Sequence, residues 1–497
     1  MNLFRNIMRP AAALCLAALA CTGAAKEPPS PQPTPGQRAM IDRKYGMFLH
    51  FGMNTYLNAE WSDGTAPASA YAPPADIADK AAGWVRNARR AGMRSIVLTT
   101  KHHDGFCLWD SRCTDYDIAH PSVGCKADIV RAVADACRRE GIAFSVYYSL
   151  WDRHEPSYRD KDPSAYVRFM KQQLRELMTG YGPVSELWFD GAWDRPTADW
   201  HLQELYDLVK GLQPDCQIST NWTVGKHPVD MREGDSIVYF PSDFRLWDPY
   251  LPVSRDPKIY THGGRRYYLP FESTQTISVL GSWFSHPEDT TVRGVEELEE
   301  IFYVAASNDN CLLLNVPPAK DGLQNPRAVD NIVALARVLG IENGGRFPRR
   351  LKRPRSLTAG ARASASSVRG GDALHHGADY AVDSDVSTAW TAGDSLARLE
   401  VTLARTAAFD GCFIITGENS IRRFTVEAEQ GGRWTEVYRS GLLPETRMNS
   451  FMGYGIIEFS LPEAVRTRRF RMSVEQSDGR PRIYSIRLRP AAGRKKT

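Results

Sequence analysis

Asp190 ends the polar part of the run VSELWFDGAW (184–193), where an apolar stretch bearing Trp188 and Phe189 meets a carboxylate and then a glycine. That is the pattern of a buried strand whose last side chain is an acid. A carboxylate in partly apolar surroundings is costly unless it has partners or work. An N-cap aspartate would look the same locally, so the reading depends on the company Asp190 keeps. Polar residues stand at the ends of other strand-like runs: His50, His102-His103-Asp104, Tyr148 and Glu272, with Glu60-Trp61 in the loop beyond the first run. Side chains converging on one rim from distant parts of the chain are what a barrel active site requires, whereas polar groups satisfied in a core would scatter over both ends.

The residue types narrow the chemistry. Adjacent histidines on a strand face opposite ways, so His102 and His103 are poor joint metal ligands unless the chain has already bent into a loop. No HxH or HExxH spacing supports a metal, and no G-x-S-x-G turn supports a serine nucleophile. Carboxylate chemistry remains: one strand-end Asp, with one or two loop acids to supply a proton. That is the equipment for hydrolysing a glycosidic bond, with no metal or other cofactor.

Strand-like and helix-like segments alternate from about residue 44 to 340. Strands are expected at 45–52, 94–106, 143–150, 185–190 and 216–220, with 267–274 as a sixth and 311–318 as a late strand. Helices are expected at 76–91, 199–212, 295–306 and 326–339. Two further helix faces are marked by Ile129, Val130, Val133 and Cys137, and by Val167, Met170, Leu174 and Leu177. This alternation predicts a (β/α)8 barrel over 38–342. No glycine-rich phosphate loop follows any strand, which counts against a nucleotide-binding sheet. The basic Pro/Gly stretch NGGRFPRRLKRPRS (343–356) reads as a linker. Beyond it, short strands at 397–403, 412–417, 423–429, 433–438, 455–461 and 469–474 predict an antiparallel β-sandwich over 357–497.

Bulk properties set the frame. A chain of 497 residues with 42% hydrophobic and 24% charged residues has room for two or three ordinary globular domains. Its formal net charge of +4, less the two arginines of an N-terminal leader, is +2, too small to imply nucleic acid or an anionic membrane surface. Twelve Trp and twenty Tyr are a modest hint of carbohydrate contact. Residues 1–20 have the basic, apolar and small-residue regions of a signal peptide. Cys21 directly after them is a candidate for acylation, so export to a bacterial periplasm or outer membrane is expected, with any membrane contact made through a lipid on Cys21. Residues 21–37 read as a flexible lead-in. The cysteines form no CxxC pair; Cys137 and Cys311 read as buried thiols, and Cys107 with Cys113 as a pair able to bridge in an oxidising compartment.

The segments KYGMFLHFG, EW (60–61), LTTKHHDGFCLWDS, YYSLWDRHEP, ELWFDGAW and FESTQTI…SWF together resemble the α-L-fucosidases of glycoside hydrolase family 29, over roughly 40–340. The tail, with ASASS, AVDSDVSTAW and RIYSIRL, is similar to discoidin-like (F5/8 type C) sugar-binding modules. The resemblance implies a retaining exo-hydrolase that releases terminal α-L-fucose from fucosylated oligosaccharides or glycoconjugates through a covalent glycosyl-enzyme. It implies Asp190 as nucleophile, and His50, Glu60, Trp61, His102, His103, Tyr148 and Trp188 as groups holding the sugar. Trp283 and Phe284 are implied near its C6 methyl. For the general acid/base the chain offers Glu233 and Glu272; Glu272 is expected, because its rigid apolar setting would raise a carboxyl pKa. A related exo-glycosidase of other specificity, or a non-catalytic glycan-binding surface protein, is the alternative.

Overall fold

Strands buried on both faces read as continuous apolar runs, as expected of a parallel sheet wrapped in helices. In the computed structural model they are β1 (Tyr45–Leu49), β2 (Ser95–Lys101), β3 (Ala143–Ser149), β4 (Glu186–Asp190), β5 (Gln217–Thr220) and β6 (Arg245–Leu246). A hairpin of β7 (Ile259–His262) and β8 (Arg265–Tyr268) follows, then β9 (Phe271–Thr276) and β10 (Cys311–Asn315). The structure describes residues 31–225, 236–248, 258–347, 356–383, 388–417, 420–443 and 454–491. The leader, Cys21, Glu233 and most of the linker lie outside them.

Eight of these strands make one parallel sheet in the order β5-β4-β3-β2-β1-β10-β9-β6. The two ends meet across a seam held by scattered bonds rather than a ladder: Asp243 N donates to Ile218 O at 2.7 Å, Thr223 N to Leu246 O at 3.2 Å, and Ile218 N to the Asp243 carboxylate at 2.8 Å. The barrel is therefore nearly closed. The run expected as the sixth strand is divided between β8 and β9, and β9 occupies the seventh barrel position. The true sixth strand, β6, is two residues long and carries a buried arginine, too short to leave a periodic signal.

The helices are α1 (Pro35–Arg43), α2 (Met53–Leu57), α3 (Ile77–Arg90), α4 (Ile129–Glu140), α5 (Ser164–Gly180), α6 (Leu202–Leu212), α7 (Val295–Ala306) and α8 (Pro326–Leu339). Their ends follow local chemistry. Asp128 caps α4 by accepting from Arg131 N, and Gly141 ends it in the left-handed region at φ 66°. Asn325 caps α8 ahead of Pro326, and Gly340 ends it at φ 67°. The expected flexible lead-in stops short of 37, because α1 begins at Pro35 with a capping box between Thr34 and Gln37. Gln37 is buried, and its amide donates to Asp243 O and Tyr268 O, pinning α1 beside the seam.

The C-terminal region is a seven-stranded antiparallel sheet folded over its own core as a sandwich. It comprises β11 (Arg362–Ala365), β12 (Trp390–Thr391), β13 (Arg398–Gly417), β14 (Arg423–Gln430), β15 (Arg433–Arg439), β16 (Tyr454–Gln476) and β17 (Arg482–Pro490). Four of the expected short strands are halves of two long ones, β13 and β16. Register shifts between Thr402 and Ala407 and between Phe409 and Gly411 bend β13 without a turn. Trp390 is a core residue whose indole donates to Ser367 O, and the Trp434 ring lies under the Arg469 and Arg471 guanidinium groups. The expected buried thiols Cys137 and Cys311 are buried and free; Cys107 and Cys113 are also free.

The sandwich packs on α7. Val304 meets Phe413, Ile415 and Tyr484. Arg489 pairs with Glu296 and Asp410 at 2.6 Å each, and Arg487 pairs with Glu300, their side chains 13% and 6% exposed. Burial pulls the Arg487 guanidinium down to about 9. Breaking a buried pair from one side costs about 3–5 kcal/mol, whereas replacing both partners with apolar groups is often neutral. Arg487→Met should therefore lower the melting temperature clearly, and Arg487→Met/Glu300→Leu should recover most of the loss in the same calorimetric scan.

Candidate active site

A cavity opens at the C-terminal end of the barrel strands. It is lined by His50, just past β1; His102 and His103, past β2; Trp188 and Asp190, on β4; and Glu60, Trp61 and Trp283 from loops. Those eight residues, expected to share one rim, are together. β2 ends at Lys101, so the two histidines sit in a turn and both reach the cavity, which a strand would not allow.

Asp190 is 8% exposed and held at both oxygens. Tyr147 OH donates to Oδ2 at 2.8 Å, and Asn221 Nδ2 donates to Oδ1 at 3.0 Å. The same Asn221 nitrogen donates to Asp248 Oδ1. Two carboxylates bonded to one donor nitrogen lie within about 6 Å of each other, since each bond spans about 3 Å. Burial pushes the Asp248 carboxyl up to about 8, with the nearby Asp190 charge as the second cause. The Asp248 carboxyl therefore keeps its proton at neutral pH. Asn221 is itself fixed, because its Oδ1 accepts from Trp222 N at 2.9 Å and from Asp248 N at 3.2 Å.

The histidines are neutral, and their tautomers follow from fixed carbonyls. Trp283 O can only accept, so Asn315 must turn its Nδ2 toward it (2.7 Å) and its Oδ1 toward His50 Nδ1 (2.9 Å). His50 therefore carries its proton on Nδ1 and leaves Nε2 as an acceptor. Glu60 O likewise fixes Asn54 Nδ2, which also donates to His102 Nδ1 at 3.2 Å and leaves His102 Nε2–H as a donor. Burial lowers His50 to about 3 and His102 well below its usual range. His103 Nδ1 donates to Ser149 Oγ, whose own proton goes to Trp151 O. Its Nε2 stands 3.5 Å from Asp190 Oδ2, and burial outweighs that carboxylate to bring it to about 4.

Glu60 is spent mainly on scaffolding. Its carboxylate accepts from Trp283 N at 3.1 Å and Phe284 N at 3.3 Å and bonds His286, clamping the loop after β9 over the cavity. The bond to Glu60 raises the His286 pKa.

Four expected residues do not line the cavity. Asp104 is buried in the turn after β2, where it accepts from Phe106 N at 2.8 Å. Tyr148 faces outward beneath α5, donating to Gln173 Oε1 and accepting from Lys101 Nζ; its neighbour Tyr147 faces in. Phe284 is buried behind the His50 and His102 rings. Glu272 lies four residues before Thr276, the β9 residue that reaches the cavity, or about 13 Å down the strand. There it accepts from Trp188 Nε1 at 3.1 Å and is neutralised by burial and by Glu186. The expectation of a raised pKa fits, but the placement does not suit contact with a substrate in the cavity. Tyr147, Trp193, Asn221, Trp222 and Asp248 were not singled out. Asp248 did carry a signal: Leu246-Trp247-Asp248 echoes Leu187-Trp188-Phe189-Asp190 at the end of β4, without its Phe.

A (β/α)8 barrel with two carboxyl groups joined through one amide nitrogen at its C-terminal rim is an architecture that suits glycoside hydrolysis. Residues 77–343 match the family model Alpha-L-fucosidase, and residues 362–488 match F5/8 type C domain. The chain belongs to the alpha-L-fucosidase family. It is 32% identical to Alpha-L-fucosidase 1 of Arabidopsis thaliana, over 56% of this chain and 54% of that protein. It is 30% identical to a protein of Oryza sativa, over 69% of this chain and 64% of the relative. It thus spans less than two thirds of these plant relatives. A crystal structure from Bacteroides thetaiotaomicron is 25% identical with a TM-score of 0.52, covering 94% of this chain and 99% of that one.

Carboxyl 13C NMR should resolve one aspartate titrating at about 8. The signal should vanish in Asp248→Asn, and its midpoint should fall in Asp190→Asn, where the repelling charge is gone.

Proposed function

We propose that this protein is a retaining exo-α-L-fucosidase acting on fucosylated oligosaccharides or glycoconjugates. The observation that carries the mechanism is the carboxyl pair joined through Asn221. A separation of about 5–5.5 Å marks retaining enzymes and about 6.5–9.5 Å inverting ones. The shared donor nitrogen keeps the nearest oxygens of this pair within about 6 Å, which supports the first class. Asp190 attacks the anomeric carbon while Asp248, protonated at neutral pH, gives its proton to the departing glycosidic oxygen. Asp248, now a carboxylate, then takes a proton from water, whose oxygen displaces Asp190. Asp248 replaces Glu272 in the role of acid/base, because it shares the cavity with Asp190.

The rest of the cavity suits this chemistry. Among the described residues lining it there is no Lys or Arg, so there the positive charge that develops on the sugar ring meets carboxylates and aromatic faces. His50 Nε2 as acceptor and His102 Nε2–H as donor can pair with adjacent hydroxyls of one sugar. The family membership supplies α-L-fucose as the sugar. Export through the leader, with a lipid on Cys21, remains part of the proposal on sequence grounds.

Asp190→Gly should lose roughly 1,000-fold or more of kcat on an aryl α-L-fucoside, and azide should restore turnover as β-fucosyl azide. Asp248→Ala should lose about 100- to 10,000-fold on fucosides with poor leaving groups, far less on α-L-fucosyl fluoride, and should lose the basic limb of the pH–rate profile. The same pattern in Glu272→Gln or Glu233→Gln, with Asp248→Ala unaffected, would overturn the assignment. Tyr147→Phe, which removes a bond to the nucleophile, should cost roughly tenfold in kcat/KM. Tyr148→Phe should instead lower the melting temperature and leave kcat/KM near wild type.

A further inference from the structure

Behind the cavity, one carboxylate lies inside the turn that carries two of its histidines. β2 ends at Lys101, and the chain then runs through His102, His103 and Asp104 to Gly105, where φ is +87°. Asp152, from the segment after β3, meets both ends of that turn. Its Oδ2 pairs with Lys101 Nζ at 2.7 Å. At the other end, a Cβ on Gly105 would fall 2.4 Å from Asp152 Oδ1, so the backbone of the turn rests on the carboxylate and only glycine fits. Asp152 is 1% exposed and does not line the cavity.

The same carboxylate shapes its own segment. β3 ends at Ser149 and a short helical turn begins only at Pro156, so residues 150–155 carry no strand or helix of their own. Asp152 Oδ1 accepts from His154 N at 3.0 Å and from Glu155 N at 2.9 Å, folding the segment around itself. The segment in turn fixes His103 and Asp190. Arg153 N donates to His103 O at 2.9 Å, and Leu150 N donates to Asp190 O at 2.7 Å. Trp151 O accepts from the Ser149 hydroxyl that orients the His103 ring. A chain of contacts thus runs from one buried acid to the 3.5 Å approach of His103 Nε2 to Asp190 Oδ2.

Stability alone does not require a charge here, since a buried ion pair is often replaceable by apolar groups of similar volume at no cost. What the pair supplies is direction. Lys101 gives its three protons to Asp152 Oδ2, Tyr148 OH and Tyr166 OH, at 2.7, 3.1 and 3.2 Å, and so has a single place to stand. We infer that Asp152 is a positioning residue of the reaction, which holds the His102–His103 turn from behind and thereby sets His103 against Asp190. Its part in fucoside hydrolysis rests on the function proposed above; the placement of His103 does not.

The test removes both charges and varies the shape at 152. In a Lys101→Met background neither Asn nor Ala leaves a buried charge unpaired, and the two double variants carry the same net charge. Lys101→Met/Asp152→Asn keeps an oxygen for His154 N and Glu155 N, whereas Lys101→Met/Asp152→Ala does not. His103 reports the placement: burial brings it to about 4, with Asp190 and Asp194 facing it as anions and Arg153 and Lys101 as cations. In the Ala double the turn loosens and water reaches the ring, so imidazole NMR should show the His103 midpoint rising toward the ordinary value of about 6.5. The acidic limb of the pH–rate profile should move up with it, and kcat/KM on an aryl α-L-fucoside should fall roughly 100-fold below that of the Asn double. The Asn double should keep the midpoint near wild type. Gly105→Ala, which pushes the turn off the carboxylate with both charges in place, should raise the midpoint in the same direction. Equal midpoints and equal kcat/KM in the two doubles, with melting temperatures showing both folded, would overturn the inference. Should neither double fold, an unmoved His103 midpoint in Gly105→Ala overturns it. A folded wild type inert toward fucosides, with doubles that still differ in midpoint, would overturn the fucosidase reading and leave the positioning of His103 standing.

Discussion

Two carboxyl groups bonded to one amide nitrogen compete for the same donor, and the site follows from that constraint. Asp190 is held by a phenol and an amide that donate to it. Asp248 yields and keeps its proton, which the function proposed above would pass to the departing oxygen. Asn221 sets the distance over which this competition is felt. It cannot swing, because both of its polar atoms are engaged.

Dryness governs recognition too. Burial keeps His50, His102 and His103 uncharged, so they act by direction rather than by charge. Their protons are placed by second residues, Asn315, Asn54 and Ser149, which are in turn placed by backbone carbonyls. Neutral donors and acceptors suit a neutral sugar. Two buried cations of the barrel are paired away from the cavity: Lys101 with Asp152 on the helix side of β2, and Arg43 with Glu186.

Much of this was legible from residue order. Strand ends carry the site in a parallel barrel, so His50, His102-His103 and Asp190 could be located by finding where apolar runs stop. What resisted reading has specific causes. Tyr147 and Tyr148 lie in a strand buried on both faces, where alternation vanishes and the inward phase is invisible; one step separates a cavity tyrosine from a packing one. Glu272 reads correctly as a buried acid of raised pKa, but burial does not say how far down a strand the residue lies. Asp248 follows a strand of two residues inside a long insert, where its likeness to the β4 ending carries little weight without the sheet. In the tail, bulges continue strands through positions that read as turns.

The seam between β5 and β6 has a consequence for stereochemistry. Asp190 stands on one side of it and Asp248 on the other, with Asn221 reaching across. Elsewhere in the barrel a regular ladder sets the spacing between strands; here a few side-chain and loop bonds do so, among them those of Asp243 and Gln37. On the function proposed above, the distance between the two acids is therefore set by this seam rather than by a ladder. A seam a few ångströms wider would make room for a water molecule between them, the spacing that inverting enzymes use.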